Sequence, residues 1–155
     1  MSTDEMTTDE MTTDEPSTQR LLPITDDLDT GGLFAAARDH RLAIRVCDRC
    51  DAVLHVPTAY CHTCGSWEGH WQTVAGTGSL YTWTVVRHQV HPAFPVPYAV
   101  VLVDLDDRPG TRLIGQVPGE PALHAGMPME VWFEAIGDDV ELPQWRPSGG
   151  PPTDR

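Results

Sequence analysis

At 155 residues and 17.1 kDa the chain has room for one ordinary domain, or for a small metal module beside one compact domain. A formal charge of -13 argues against nucleic acid as a ligand, although nine of the 23 acids lie in the first 29 residues and the body is only mildly acidic. All ten of its fixed cations are arginine, and without lysine there is no amine for Schiff-base chemistry. No run approaches the roughly eighteen consecutive apolar residues of a membrane span, and no basic region leads into an apolar one at the N-terminus. The expectation is a soluble, cytoplasmic protein that does not engage membranes.

The first fifteen residues repeat a five-residue unit, Met1-Ser2-Thr3-Asp4-Glu5, then Met6 to Glu10 and Met11 to Glu15, so Met1, Met6 and Met11 are all candidate starts. So acidic a stretch, with methionine as its only large apolar residue, cannot bury enough surface to offset the entropy of ordering. Residues 1–27 are therefore expected to be a disordered acidic tail. From Asp26 onward Leu28, Leu33, Phe34, Ala37 and Leu42 fall near helical spacing, with Asp29 or Thr30 as N-cap and Arg38 and Arg41 at the far end. One amphipathic helix is expected over roughly 30–40, within a segment 28–42. Nothing large lies nearby in the chain to cover that stripe, so Leu33 and Phe34 face either the rest of the chain or a partner.

All four cysteines fall in one stretch, Cys47-Asp48-Arg49-Cys50, ten residues, then Cys61-His62-Thr63-Cys64-Gly65. Two Cys-x-x-Cys turns at this separation are the ligand spacing of a rubredoxin-like zinc ribbon over residues 43–70. Four thiolates fill a tetrahedral sphere and leave no position for water or substrate, so one structural zinc per chain is expected. Iron suits the same cage and stays open as an alternative. Gly65 fits the positive φ that the turn after the second pair needs, and Asp51 holds the matching place after the first less comfortably. His55, His62 and His70 are read as surface or supporting side chains. Leu42 to Val46 should enter the first knuckle as a strand and Val53 to Pro57 leave it.

Beyond Trp67, His70, Trp71 and Val74, the turn Gly76-Thr77-Gly78 opens a long β pattern, Ser79 to Val90, rich in β-branched and aromatic residues. A proline-studded loop at 91–97 precedes strands at Tyr98–Leu105, Thr111–Val117 and Met129–Ile136. A weak last strand covers Val140–Leu142, followed by a Pro/Gly-rich tail from Pro143, with 146–155 disordered. Four or five strands in some 70 residues, the first bent at glycine, suit a small OB-fold barrel over 71–145. The fold class is mainly β: an N-terminal helix, a zinc ribbon and a barrel.

That order resembles the family of zinc-ribbon/OB-fold proteins found beside acyl-CoA enzymes. The likeness rests on the two cysteine pairs, on Gly76 to Val86, on Pro97-Tyr98 and on Gly126-Met127. The resemblance implies a non-catalytic accessory subunit in a hetero-oligomer with a thiolase-like enzyme of the lipid-transfer or sterol-carrier type. Such an enzyme acts on acyl-CoA thioesters, as in the retro-aldol step of steroid side-chain degradation. Some relatives are joined instead to a hot-dog-fold enoyl-CoA hydratase. The residue inventory agrees with a non-catalytic role, having no lysine, no open metal position and no spare cysteine.

Arg45, Arg49 and Arg87 are the candidate ligands for the phosphates of a shared CoA thioester, because arginine binds phosphate bidentately. Leu33, Phe34, His91 and Phe94 are the candidate partner interface. The rival reading is a single-stranded nucleic-acid binder, since ribbons and OB-folds both serve that class. The aromatics for it exist, but beyond residue 29 there are 14 acids against nine arginines and no basic stripe.

Overall fold

A computed structural model describes residues 20–149. Of the tails expected at 1–27 and 146–155, residues 1–19 and 150–155 lie outside these, while 20–27 and 146–149 are described, with Arg20 bonded to Glu134 and Arg146 and Pro147 in the last strand. The helix α1 is Gly31–Arg38, shorter than the expected segment 28–42. A turn displaces its start: the Asp27 carboxylate accepts the Thr30 N–H at 2.6 Å and the Thr30 hydroxyl at 2.8 Å. Thr30 is thus the N-cap without capping through its own side chain. At the other end the Asp39 and Arg41 N–H groups return to the Ala36 carbonyl, and His40 takes a left-handed φ of 53° that stops the helix.

α1 packs on its own chain. Phe34 is 8% exposed and Ala36 and Ala37 are buried, while Leu33 packs against the main core. Of the two alternatives left by the helical stripe, Leu33 and Phe34 face the rest of the chain, which takes them out of the candidate partner interface as an exposed patch. The strands they cover belong to two different sheets, and the second was not placed beside the helix by any local pattern.

The first sheet has the order β2-β1-β3, with β1 (Leu42–Cys47) between β2 (Val53–Leu54) and β3 (Gly69–Val74), all antiparallel. β3 was not foreseen as a strand and carries the ribbon sheet past residue 70 to Val74. Its residues alternate only weakly in hydropathy, and six-residue pairing with β1 from Leu42↔Val74 to Cys47↔Gly69 defines it.

The second sheet has the order β6-β5-β4-β7-β8, from β4 (Thr77–Val86), β5 (Tyr98–Leu105), β6 (Arg112–Pro118), β7 (Pro128–Gly137) and β8 (Val140–Pro147). β5 buries alternate residues, Ala99, Val101, Val103 and Leu105, as a strand with one face on a core must. Gly76, at φ 72°, makes the bend into β4, and the β4–β5 register shifts between Leu80 and Thr82. β4 ends at Val86 and not at Val90.

β8 runs five residues beyond the expected end at Leu142 and takes in Pro143 and Trp145. Pro143 pairs with Phe133 and Pro147 with Met129. Proline ends a central strand because it lacks an N–H, but β8 is last in its sheet and the missing donor falls on an edge.

β6 and β8 share no backbone ladder, and the side chain of Gln144 joins them. Its Oε1 accepts the Gln116 N–H at 2.6 Å and its Nε2 donates to Glu134 Oε2 at 3.1 Å. Beside it Trp145, 1% exposed, crosses over Gly115, where a Cβ would lie 2.6 Å from the indole Cδ1.

Leu42, Ile44, Val46 and Val74 of the ribbon sheet belong to the same buried cluster as Leu80, Val101, Val103 and Trp145 of the barrel. Each such side chain contributes about 1.5–3 kcal/mol on burial. The β5–β6 turn adds polar ties, from Arg108 to Gln72 and from the Ala75 N–H to Asp107 at 2.9 Å. Ribbon and barrel thus share one core.

Candidate metal centre

Both cysteine turns fold the same way. The Asp51 N–H returns to the Cys47 carbonyl at 3.0 Å, and the Gly65 N–H to the Cys61 carbonyl at 2.8 Å. Each closing residue is left-handed, Asp51 at φ 56° and Gly65 at φ 76°, as the sequence predicts with aspartate the more strained. The Cys47 N–H then donates to Ala52 and the Cys61 N–H to Ser66, so each turn is bonded back on itself.

The two turns face each other. Cys47 Sγ lies 3.6 Å from Cys64 Sγ and Cys50 Sγ 3.7 Å from Cys61 Sγ, and all four sulfurs lie within 4.8 Å of one another. These separations are far too long for disulfides. A tetrahedral ion with Zn–S near 2.3 Å sets sulfurs about 3.8 Å apart, so the cage fits zinc as it stands. Cys47 and Cys61 are fully buried and with Leu54 make the ribbon's own small core.

The thiols also bias one another's ionisation. Desolvation pushes Cys61 up, but the Cys64 and Thr63 N–H groups and the thiols of Cys47 and Cys50 outweigh it and bring its pKa down to about 6. For Cys50 the Ala52 N–H works downward, and desolvation with the facing thiols takes the pKa to about 12. Four crowded thiolates repel, and a dication held among them offsets that repulsion.

No histidine belongs to the sulfur cluster. His70 Nδ1 lies 2.6 Å from Asp48 Oδ1, bracing the first turn against β3. His62 is exposed on the second turn. His55, half-buried just past β2, is held below the usual imidazole range by desolvation.

The candidate phosphate ligands are not gathered into one site. Arg45, on β1, reaches toward the Ala59 and Trp67 carbonyls at 3.5 Å, with its Nε buried and without a partner. Arg49 stands exposed on the first cysteine turn. Arg87, past the end of β4, is held by both carboxylate oxygens of Glu120 at 2.7 and 3.2 Å. That pair raises the arginine pKa and lowers that of Glu120.

His91 and Phe94 do meet in the proline loop, their rings 6.0 Å apart. Phe94 also lies under the guanidinium of Arg20, 5.4 Å from the ring centre, a contact that no local pattern announces. Among the described residues, no helix is long and apolar enough to cross a membrane.

Family models described as "ChsH2, rubredoxin-like zinc ribbon domain" and "ChsH2, C-terminal OB-fold domain" match residues 34–68 and 71–134. A solved structure described as "Ltp2-ChsH2(DUF35) aldolase" has a chain 35% identical to this one, at a TM-score of 0.70; the match covers 79% of this chain and 96% of that one. A protein of Thermomonospora curvata described as "Probable enoyl-CoA hydratase alpha subunit" is 40% identical over 125 residues. That match takes in 77% of this chain and spans only 38% of the relative's length. On its ribbon, its barrel and its near-complete overlap with a subunit chain of that aldolase, the chain belongs to the ChsH2 (DUF35) family.

Proposed function

We propose that this chain is an accessory subunit of an enzyme acting on acyl-CoA thioesters, and that its own role is to bind and stabilise that enzyme. The partner is thiolase-like, of the lipid-transfer or sterol-carrier type, and its reaction is a carbon-carbon cleavage such as the retro-aldol step of steroid side-chain degradation. The observation that carries the reading is the 96% coverage of the subunit chain in the Ltp2-ChsH2(DUF35) aldolase, at 35% identity. The chemistry of the chain supports it, since the four thiolates of Cys47, Cys50, Cys61 and Cys64 converge on one cage that a structural zinc would fill with no open position. Catalytic groups therefore come from the partner.

Where CoA is shared between the subunits, Arg49 is the cation best placed to meet a phosphate. Arg45 is turned toward backbone carbonyls, and Arg87 would exchange Glu120 for the ligand.

A second reading, in which the partner is a hydratase, is favoured by the 40% identity to the Thermomonospora protein described as a probable enoyl-CoA hydratase alpha subunit. Co-expression of the chain with thiolase-like and hot-dog-fold candidates, followed by affinity capture, native mass spectrometry and metal analysis, tests both. A complex with the thiolase-like protein and about one zinc per chain supports the first reading. Capture of the hydratase alone transfers it to the second. A monodisperse zinc-loaded chain that takes neither, or that takes nucleic acid, overturns both.

A further inference from the structure

The segment ahead of α1 is tied to three parts of the molecule. The Asp29 carboxylate accepts the Ala59 N–H of the ribbon at 2.5 Å. Leu22 lies over Gly137 at the end of β7, where an added Cβ would meet its methyl at 3.2 Å. Arg20 donates from Nη1 to Glu134 Oε2 at 2.8 Å, both side chains being only 16% exposed. The same guanidinium lies over Phe94 in the proline loop.

Glu134 is also the carboxylate that Gln144 bonds while its other end bridges to β6. A chain of contacts thus runs from the loop through Arg20, Glu134 and Gln144 to the Gln116 N–H. It lies across the barrel where no backbone ladder joins β6 to β8.

We propose that residues 20–30 are a strap and that Arg20 is its latch, holding the proline loop at 91–97 against β7 and the seam of the barrel. Three features carry this. A guanidinium shielded from water gains more from a carboxylate and an aromatic face than an exposed one does. The loop's other ties are few: the Phe94 N–H to the His91 carbonyl, the Ala93 N–H to His91 Nδ1 and the Gln89 side chain to the Pro92 carbonyl lie within it or at its edge, and the Gly119 N–H to the Pro97 carbonyl holds only its far end. The strap shares no ladder with either sheet, so it opens without breaking strands.

With the latch open, the face of Phe94 under the guanidinium becomes accessible and Glu134 loses its cation. With it closed, the loop presents a fixed surface. The strap therefore sets whether this end of the barrel is preformed.

Hydrogen exchange on the full zinc-loaded chain tests the device with Arg20→Ala, Arg20→Lys and Glu134→Gln. Arg20→Ala should raise exchange of the amides at 91–96 by about tenfold, leaving β1, β3 and the cysteine turns unchanged. Arg20→Lys, which keeps the charge but not the planar face, should recover part of the protection, and Glu134→Gln should act in the same sense as Arg20→Ala. Unchanged loop exchange in Arg20→Ala overturns the proposal. So does a rise spread evenly over every strand, because that reports general destabilisation and not an opened latch.

Discussion

Trp145 decides whether the end of the chain is a strand or a tail. It is 1% exposed, packs within the main core, pairs with Val131 across β7–β8 and passes over Gly115. On a solvated tail, a change to alanine would shift stability by no more than about 0.5 kcal/mol. In the barrel, Trp145→Ala removes the largest fully buried side chain and leaves a cavity that flanking strands refill only in part, a loss of about 3–5 kcal/mol. At about 2–4 °C per kcal/mol for a chain of this size, the melting temperature should fall by roughly 10 °C. Urea unfolding of the zinc-loaded chain, followed by far-ultraviolet circular dichroism, gives the value directly. The midpoint should move with the slope unchanged, because the surface exposed on unfolding is nearly the same. A loss below about 1 kcal/mol would refute the assignment of β8 as a core-bearing strand.

Gly32→Ala improves helix propensity by about 1 kcal/mol, but its Cβ falls 2.0 Å from Trp71 Nε1, and overpacking costs about 1–3 kcal/mol. The variant should be less stable with shifted tryptophan emission, and a more stable one would show that the Trp71 ring moves aside freely. Cys61→Ser should lose its metal and the exchange protection of residues 47–66, because folding of a ribbon is coupled to metal binding; unchanged metal content and melting would contradict structural zinc. His55, depressed from 6.5 by burial, is favoured in its neutral form by the fold. Its contribution is complete above the unfolded value and declines as pH falls through that value toward the folded one. His55→Gln at saturating zinc should therefore lose less stability between about pH 7 and pH 5 than the parent, and parallel profiles would sink the idea.

The cysteine turns were legible because a knuckle is a local object: two sulfurs, a left-handed closing residue and two short backbone bonds all arise within six residues. The barrel strands were legible for a similar reason, since alternation such as that of Tyr98–Leu105 records which face meets a core. β3 was missed because its identity comes from pairing with Leu42 to Cys47, distant in the chain, and not from its own hydropathy. β8 was cut short because a proline rule stated without sheet position cannot know that the strand lies at an edge.

The helix shows the limit most plainly. Its apolar stripe said that Leu33 and Phe34 would be covered, and only the tertiary structure showed that this chain covers them. Arg20 carried no local signal at all: its value depends on Glu134 and Phe94, far away in the chain, arriving on either side of one guanidinium. The sequence by itself determined the four-cysteine cage and most of the strands, because these follow from residue identity and short spacing. The shared core of ribbon and barrel, the Gln144 bridge and the strap were decided by tertiary structure, because each rests on contacts whose energy exists only once distant segments meet.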